Sequence, residues 1–226
     1  MAAPLELRTP LTAIQATVSM LHEGDGGELT AMQERLVDLL DRNADRLRVL
    51  VDDLLDMGAL EGGRVTLKPT RVNLADLCER VVEEVRATAA QANVTLRTDL
   101  NEAETWVDTT RMRQVIENLL QNAVKFTPPD GWVEISTHSW NHRATIVVRD
   151  TGIGIPPAEL DQVFEKFYRT TTGARFAHGT GLGLSIARSI VSLHGGRLTA
   201  ESDGRSGTTM TVELPDEAPA DLDDDA

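Results

Sequence analysis

Along residues 7–21 the apolar positions fall at Leu7, Leu11, Ile14, Val18 and Leu21, with spacings of 4, 3, 4 and 3. That rhythm keeps one face of an α-helix apolar. After "EGDGGELT" it resumes at Leu36, Leu40, Asn43, Leu47, Leu50, Leu54 and Met57. This is a heptad stripe with one polar member, of the kind that fixes register in a bundle. Gly24, Gly26 and Gly27 predict a short connection, hence an antiparallel helical hairpin. Val37, Leu39, Val51 and Leu55 widen the apolar face beyond what one partner helix covers. The economical expectation is a homodimer whose two hairpins form a four-helix bundle. The alternative is a hairpin docked on the rest of its own chain.

"EGGR" at 61–64 ends the second helix, and the pattern changes. Short strands are expected near 65–68, 94–100, 132–138, 144–149, 197–202 and 207–214, and helices near 73–92, 110–125 and 181–194. Residues 132–149 read as an antiparallel hairpin through "WNHR", and no internal repeat is visible. Helices and strands alternate irregularly, which favours a two-layer α/β sandwich over a doubly wound parallel sheet. The expected organisation is a hairpin over 1–62, an α/β domain over 63–215 and an acidic, solvated tail over 216–226.

Charge and composition narrow the functional classes. The formal net charge is −14, and "DEAPADLDDDA" at the end carries six acids. The remainder is still acidic, which argues against nucleic-acid binding, since that requires a basic footprint. Any phosphate ligand must then be held by backbone amides, a metal ion and a few placed cations. No apolar run approaches the roughly 18 residues that cross a bilayer, and no secretory leader pattern opens the chain. The lone Cys78 excludes an internal disulfide, so a reducing, cytoplasmic setting is expected, with Cys78 packed as a small hydrophobe.

Three stretches carry chemistry. In "TRMRQVIENLLQNAVKF", Asn118, Asn122 and Lys125 stand at i, i+4 and i+7, while Ile116, Leu119, Leu120 and Ala123 take the other side. Two amides and an ammonium in line offer oxygen ligands to a hard cation and a charge to a phosphate. A merely solvated face would not select asparagine twice, because it is a poor helix former. "IVVRDTGIGIPP" ends a strand at Asp150, whose carboxylate accepts only, as an adenine N6 donor requires. Gly152 and Gly154 let backbone approach a flat ring, although Asp-x-Gly-x-Gly by itself is also a common turn. "HGTGLGLSIARSIV" sets Gly179, Gly181 and Gly183 before an amphipathic helix whose free amides suit anionic phosphates. It is neither a Walker loop nor a dinucleotide fingerprint. Between the glycine stretches, "VFEKFYRTTTGARFA" reads as a mobile lid, with Lys166 or Arg169 in reach of phosphate.

Asn118–Lys125, "DTGIG", "FEKFYR", "GTGLGLSIARSIV" and "GRSGTT", in this order, closely resemble the ATP-binding domain of sensor histidine kinases, and "ELRTPLTAI" resembles their dimerisation helix. The resemblance covers roughly residues 6–214. It implies a Bergerat (GHKL) ATP-binding fold with ATP and Mg2+ as cofactors. Asn122 with Asn118 would hold the metal, Lys125 and Arg169 would contact phosphates, and Asp150 would read adenine. Phe126, Gly152, Gly154, Ile155, Lys166, Tyr168, Gly179, Thr180 and Leu184 would complete the ATP site. Gly181, Leu182 and Gly183 would belong to the lid and Thr208 to the adenine pocket. The implied partners are a second copy and a response-regulator receiver domain.

The family's first helix carries His-Glu-x-x-Thr-Pro. Here Glu6, Thr9 and Pro10 match, and Leu5 occupies the histidine slot. With Leu7 at the centre of the core stripe, Leu5 lies at about 160° and Thr9 at about −160°, both facing outward. Pro10 cannot donate to the Glu6 carbonyl, so it is expected to bend the helix beside the reacting position. In the family the acceptor imidazole attacks the γ-phosphoryl group while the glutamate takes or polarises its proton. Leucine cannot do this. His22 lies about 25 Å further along the helix and some 100° round, and His138, His142, His178 and His194 fall in the second domain, so none is expected to substitute. The chain is therefore expected to bind nucleotide without autophosphorylating. "MAAPLE" reads as an appended or truncated start at which the acceptor was replaced or lost, with a natural degenerate kinase as the alternative; a parent protein could be membrane-anchored. Thr9 leaves room for a regulator phosphatase, since the family's threonine positions a water. ATP hydrolases of the same fold resemble this domain but carry glutamate where Asn118 stands, with Glu117 pointing about 100° away. A non-enzymatic dimeric nucleotide-binding module is the other rival.

Overall fold

The computed structural model describes residues 3–177 and 179–217, with the side chains of 3–8 outside that description. The side chains of Leu5 and Glu6, His178, and the tail beyond Glu217 therefore lie outside the described residues. The chain divides into two compact units, Met1–Gly62 and Gly63–Ala226.

The first unit is a hairpin of α1 (Ala3–His22) and α2 (Ala31–Glu61). Helix α1 continues through Pro10. Thr30 starts α2 with a capping box, its hydroxyl accepting the Gln33 N–H while the Gln33 side chain accepts the Thr30 N–H. Gln15 Nε2 donates to Asp45 Oδ1 at 2.8 Å and His22 lies 3.6 Å from Asp38. Seven residues up one helix match seven down the other, so the pair is antiparallel. The buried seam keeps Leu11, Val18 and Met57 of the expected stripe but departs from it along most of α2. Leu11, Val18, Val37 and Ala44 are buried, whereas Leu36, Leu40, Leu47 and Leu54 are about half exposed. Asn43 is exposed and donates to its own helix at the Leu39 carbonyl, 2.7 Å away. Two interleaved heptads run along α2, and the smaller residues, Val37 and Ala44, face α1 because they allow close approach. The leucine heptad is left on the outside.

The second unit contains a five-stranded sheet of order β2-β4-β5-β7-β6 and a two-stranded ribbon, β1-β3. Its elements are β1 (Thr70–Asn73), α3 (Leu74–Gln91), β2 (Thr95–Leu100), β3 (Glu104–Val107), α4 (Thr109–Phe126), β4 (Trp132–Trp140), β5 (Arg143–Asp150), α5 (Thr171–Phe176), α6 (Gly183–Leu193), β6 (Arg197–Glu201) and β7 (Thr209–Pro215). Strand β2 pairs parallel with β4, and the other ladders are antiparallel. Ile135, Val148 and Met210 are successive cross-strand partners, as are Ile146, Val212 and Leu198, and all are buried. Helices α3, α4 and α6 cover that face. On α4 seven side chains are buried, among them Ile116, Leu119 and Leu120. At about 2 kcal/mol for each large one, that face rather than helix propensity holds α4 in place. Asp108 caps α4 by accepting the Thr110 and Arg111 N–H groups, and Asn73 caps α3. Cys78 of α3 is wholly buried, and desolvation pushes its thiol up to about 12.

Three local expectations are corrected. Residues 65–68 form no strand; Pro69 lacks an N–H for a ladder, the Lys68 N–H goes to Asp108 Oδ2 at 3.1 Å, and pairing begins at Thr70. "ETWV" carries no pattern that predicts a strand, yet it forms β3 by pairing with β1. The final helix begins at Gly183 rather than 181, because Gly181 has a φ of +73°.

Candidate functional site

The polar stripe of α4 stands as the spacing requires. Asn118, Asn122 and Lys125 are half-buried beside the fully buried Leu119 and Leu120. Asn118 Nδ2 donates to the Gly183 carbonyl at 3.1 Å, joining α4 to the first turn of α6. A Cβ on Gly179 would come within 2.5 Å of Lys125 Nζ, so the backbone there runs close beside the ammonium. Lys125 Nζ also lies 5.1 Å from the Phe126 ring centroid. Glu117, one residue from Asn118, is ion-paired with Arg113; desolvation, ahead of the guanidinium's opposing charge, raises its carboxyl pKa.

Asp150 ends β5 and is buried. Its Oδ1 accepts the N–H groups of Gly152 at 2.7 Å and Thr208 at 3.1 Å. Both bonds fall on Oδ1, so Oδ2 keeps its acceptor capacity. Desolvation pushes the Asp150 carboxyl above the usual aspartate range, against the pull of those two amides. The close packing needs glycine: a Cβ on Gly152 would sit 2.6 Å from the Phe126 carbonyl oxygen, and Gly207, at φ +104°, approaches the Asp150 carbonyl too closely for any side chain. Ser202, not anticipated, ties this corner together. Its Oγ accepts Ile155 N–H at 2.9 Å and donates to the Gly207 carbonyl at 2.6 Å. Asp203 holds the adjoining turn; the Ser206 hydroxyl first, then the Ser206 and Arg205 amides, lower its carboxyl to about 2. An open cavity of about 390 Å³ is lined by Arg149, Asp150, Glu201, Ser202, Asp203, Ser206, Gly207, Thr208 and Thr209. None of Asn118, Asn122 or Lys125 lines it.

The stretch between the glycine loops is more structured than a plain loop. It contains two 3₁₀ turns, Pro157–Glu159 and Gln162–Phe164, and the unexpected helix α5. Thr170 caps α5 by accepting the Gly173 N–H at 2.9 Å. Phe126 and Phe176 have ring centroids 6.4 Å apart, with Gly173 against the Phe126 edge. Phe167 adopts φ +61° and donates its N–H to the Gly181 carbonyl at 2.9 Å. Lys166 is exposed and Tyr168 half-buried. The Arg169 guanidinium donates to the carbonyls of Ala174 and Ala177, at the C-terminal end of α5. Thr180 Oγ1 accepts the Leu182 N–H at 3.2 Å. Leu182 is wholly buried and anchors the loop in the core, while Ile155 and Leu184 are half-buried. Among the described residues no cluster of three His, Cys, Asp or Glu suited to a metal exists. Two asparagine oxygens alone make a poor cage, but they suit a magnesium ion held chiefly by phosphate oxygens and water. In the hairpin, Thr9 and Pro10 are exposed.

Residues 107–218 match the family described as histidine kinase-, DNA gyrase B-, and HSP90-like ATPase, and residues 6–63 match the His Kinase A (phospho-acceptor) domain. Over 217 residues the chain is 36% identical to the circadian input-output histidine kinase CikA of Synechococcus elongatus, an alignment covering 94% of this chain and 29% of that protein. Over 212 residues it is 34% identical to the histidine protein kinase DivJ of Caulobacter vibrioides, covering 93% and 36% respectively. The chain thus spans about a third of the length of these curated relatives. Among solved structures, full-length ShkA in complex with AMPPNP matches with a TM-score of 0.81 and 28% identity, over 98% of this chain and 46% of ShkA. The mycobacterial sensor histidine kinase MprB matches with a TM-score of 0.60 and 28% identity, over 67% of this chain and 100% of that one. No helix among the described residues is long and apolar enough to cross a membrane. With a phospho-acceptor hairpin and a GHKL-type unit matched in that order along one chain, the protein belongs to the sensor histidine kinases of two-component signalling.

Proposed function

We propose that the chain is the catalytic core of such a kinase, that it binds Mg-ATP in its α/β unit, and that it cannot phosphorylate itself because Leu5 fills the acceptor position. The observation that carries the nucleotide reading is the pairing of two recognition ends within one unit. Asp150, with one carboxylate oxygen fixed by the Gly152 and Thr208 amides, presents an acceptor suited to the adenine amino group. Asn118, Asn122 and Lys125 form the phosphate end, set by the Asn118–Gly183 bond. The AMPPNP complex of ShkA supports the same ligand class.

In this reading Lys125 balances charge on the phosphate oxygens and the amides before α6 bind them. Asn122 and Asn118 would hold Mg2+, which would neutralise charge as the γ-phosphoryl group departs. Phe126, Gly154, Ile155, Lys166, Tyr168, Arg169, Gly179, Thr180, Gly181 and Leu184 form the walls and lid. Phosphoryl transfer to a histidine, and then to a receiver-domain aspartate, needs an imidazole that this chain lacks at position 5. Glu117 is committed to Arg113, so water activation from that carboxylate is disfavoured and hydrolysis is not the reading we adopt.

Incubation with γ-labelled ATP should leave the native chain unlabelled while calorimetry finds adenine-nucleotide binding, and Leu5→His should bring acid-labile label onto the protein. Label on the native chain would overturn the acceptor assignment; absence of binding would overturn the nucleotide reading. A second reading is favoured by the exposure of Thr9 on α1. There Thr9 orients a water that removes phosphate from a receiver aspartate. Loss of phosphate from a phosphorylated receiver domain should then be accelerated by the native chain and fall at least about tenfold in Thr9→Ala. Equal rates would leave only a nucleotide-binding, non-enzymatic role.

A further inference from the structure

Glu159 has no part in the nucleotide site described above, yet lid groups converge on it. It ends the turn Pro157–Glu159, downstream of the loop that Ser202 pins through Ile155. Its Oε2 accepts the backbone N–H of Thr171 at 3.2 Å and its Oε1 accepts the Thr171 hydroxyl at 2.9 Å. The Tyr168 phenol lies against the same carboxylate; desolvation first, then the hydrogen bond and charge of Glu159, raise its pKa. Thr171 is the first residue of α5, and α5 has only six residues. A helix that short does not hold itself together in water, so its shape must be imposed from outside. Besides the Thr170 cap and the Phe126–Phe176 ring contact, three contacts do so. Arg169 binds the carbonyls at its C-terminal end, Gly173 packs on Phe126, and Glu159 binds its start. Of these, the Glu159 contact reaches back to the loop that carries Asp150.

We propose that Glu159 is a positioning residue for nucleotide binding, holding the lid helix Thr171–Phe176 in place through the N–H and the hydroxyl of Thr171. The inference rests on the nucleotide reading above and extends it to how the lid is set. Glu159 touches no ligand; it fixes lid order from the base-recognition loop, so binding of the phosphate portion depends on it and binding of the base does not. Glutamine can keep both contacts, with its carbonyl on the Thr171 N–H and its amide NH2 on the hydroxyl, which accepts as well as donates. Alanine keeps neither.

The test uses the full chain with Mg2+, titrated with adenosine and with AMPPNP, and follows amide exchange of residues 170–177. In Glu159→Ala, lid amides should exchange about tenfold faster and AMPPNP affinity should fall about five- to tenfold, the scale of one or two lost hydrogen bonds, with adenosine affinity unchanged. Glu159→Gln should stay within about twofold of native, and Thr171→Val should cost AMPPNP affinity in the native background but nothing further on Glu159→Ala, since a shared contact is lost once. Unchanged lid exchange and AMPPNP affinity in Glu159→Ala, or an equal loss for adenosine, would overturn the proposal. If the native chain binds neither ligand, the nucleotide reading fails separately, and the exchange rates still decide whether Glu159 holds the lid.

Discussion

His194 closes α6 with both ring nitrogens committed. Nδ1 lies 2.8 Å from the Ile190 carbonyl and Nε2 accepts the Asp108 N–H at 3.0 Å. An acceptor at Nε2 selects the neutral ring with its proton on Nδ1. Burial, ahead of the opposing pull of the Ile190 carbonyl and the Asp108 charge, lowers its pKa below the ordinary 6.5. A lowered pKa means that the unfolded chain takes up the proton first as pH falls. The stabilising contribution of the neutral ring is therefore present above about 6.5 and is lost as pH drops through the folded-state value. Asp108 acts lower on the scale: although burial opposes it, the Lys68, Arg111 and Thr110 amides hold its carboxyl below 3.8. Denaturation midpoints should thus fall between pH 7 and about 5, and His194→Gln, less stable at neutral pH, should show a flatter slope across that window. An unchanged slope would mean that the ring titrates equally in both states.

At the scale of elements, legibility followed period and length. Helices α3 and α4 and the β4–β5 hairpin were readable because each repeats its pattern over enough residues to define a face. Strands β1 and β3, four residues each, have no such run, and β3 exists because the main chain at 104–107 finds a partner at 70–73. Helix α5 is invisible for a related reason: "TTGARF" has no amphipathic period, and its ends are held by Glu159 and Arg169 from outside the helix. The heptad of α2 is legible as apolar, but its period does not say which residues face α1, since Val37 and Ala44 repeat at seven residues as Leu40 and Leu47 do. The site divides the same way. Asp150, Gly152 and the Asn118–Lys125 stripe could be found because local spacing itself creates their geometry. Ser202 and Glu159 could not, because each acts on backbone far away in sequence and leaves no spacing signal.

The whole molecule is an acidic chain of two units, one of which displays Leu36, Leu40, Leu47 and Leu54 in a row. Such a stripe is expected to be covered by a second copy in a symmetric four-helix bundle. Leu40→Asp combined with Leu47→Asp should convert the protein to a monomer in sedimentation equilibrium. Two half-buried leucines on each of two copies, at about 1 kcal/mol apiece, amount to roughly a thousandfold in dissociation constant. A native chain that sediments as a monomer would refute the expectation. Cys78, the only sulfhydryl in the chain, belongs to the other unit, and its nucleophilic form is suppressed by the packing of α3. Alkylating reagents consequently meet an inert protein while the fold persists. A probe cysteine installed on the lid would report its own environment without background, and delayed modification of Cys78 would time the opening of the core.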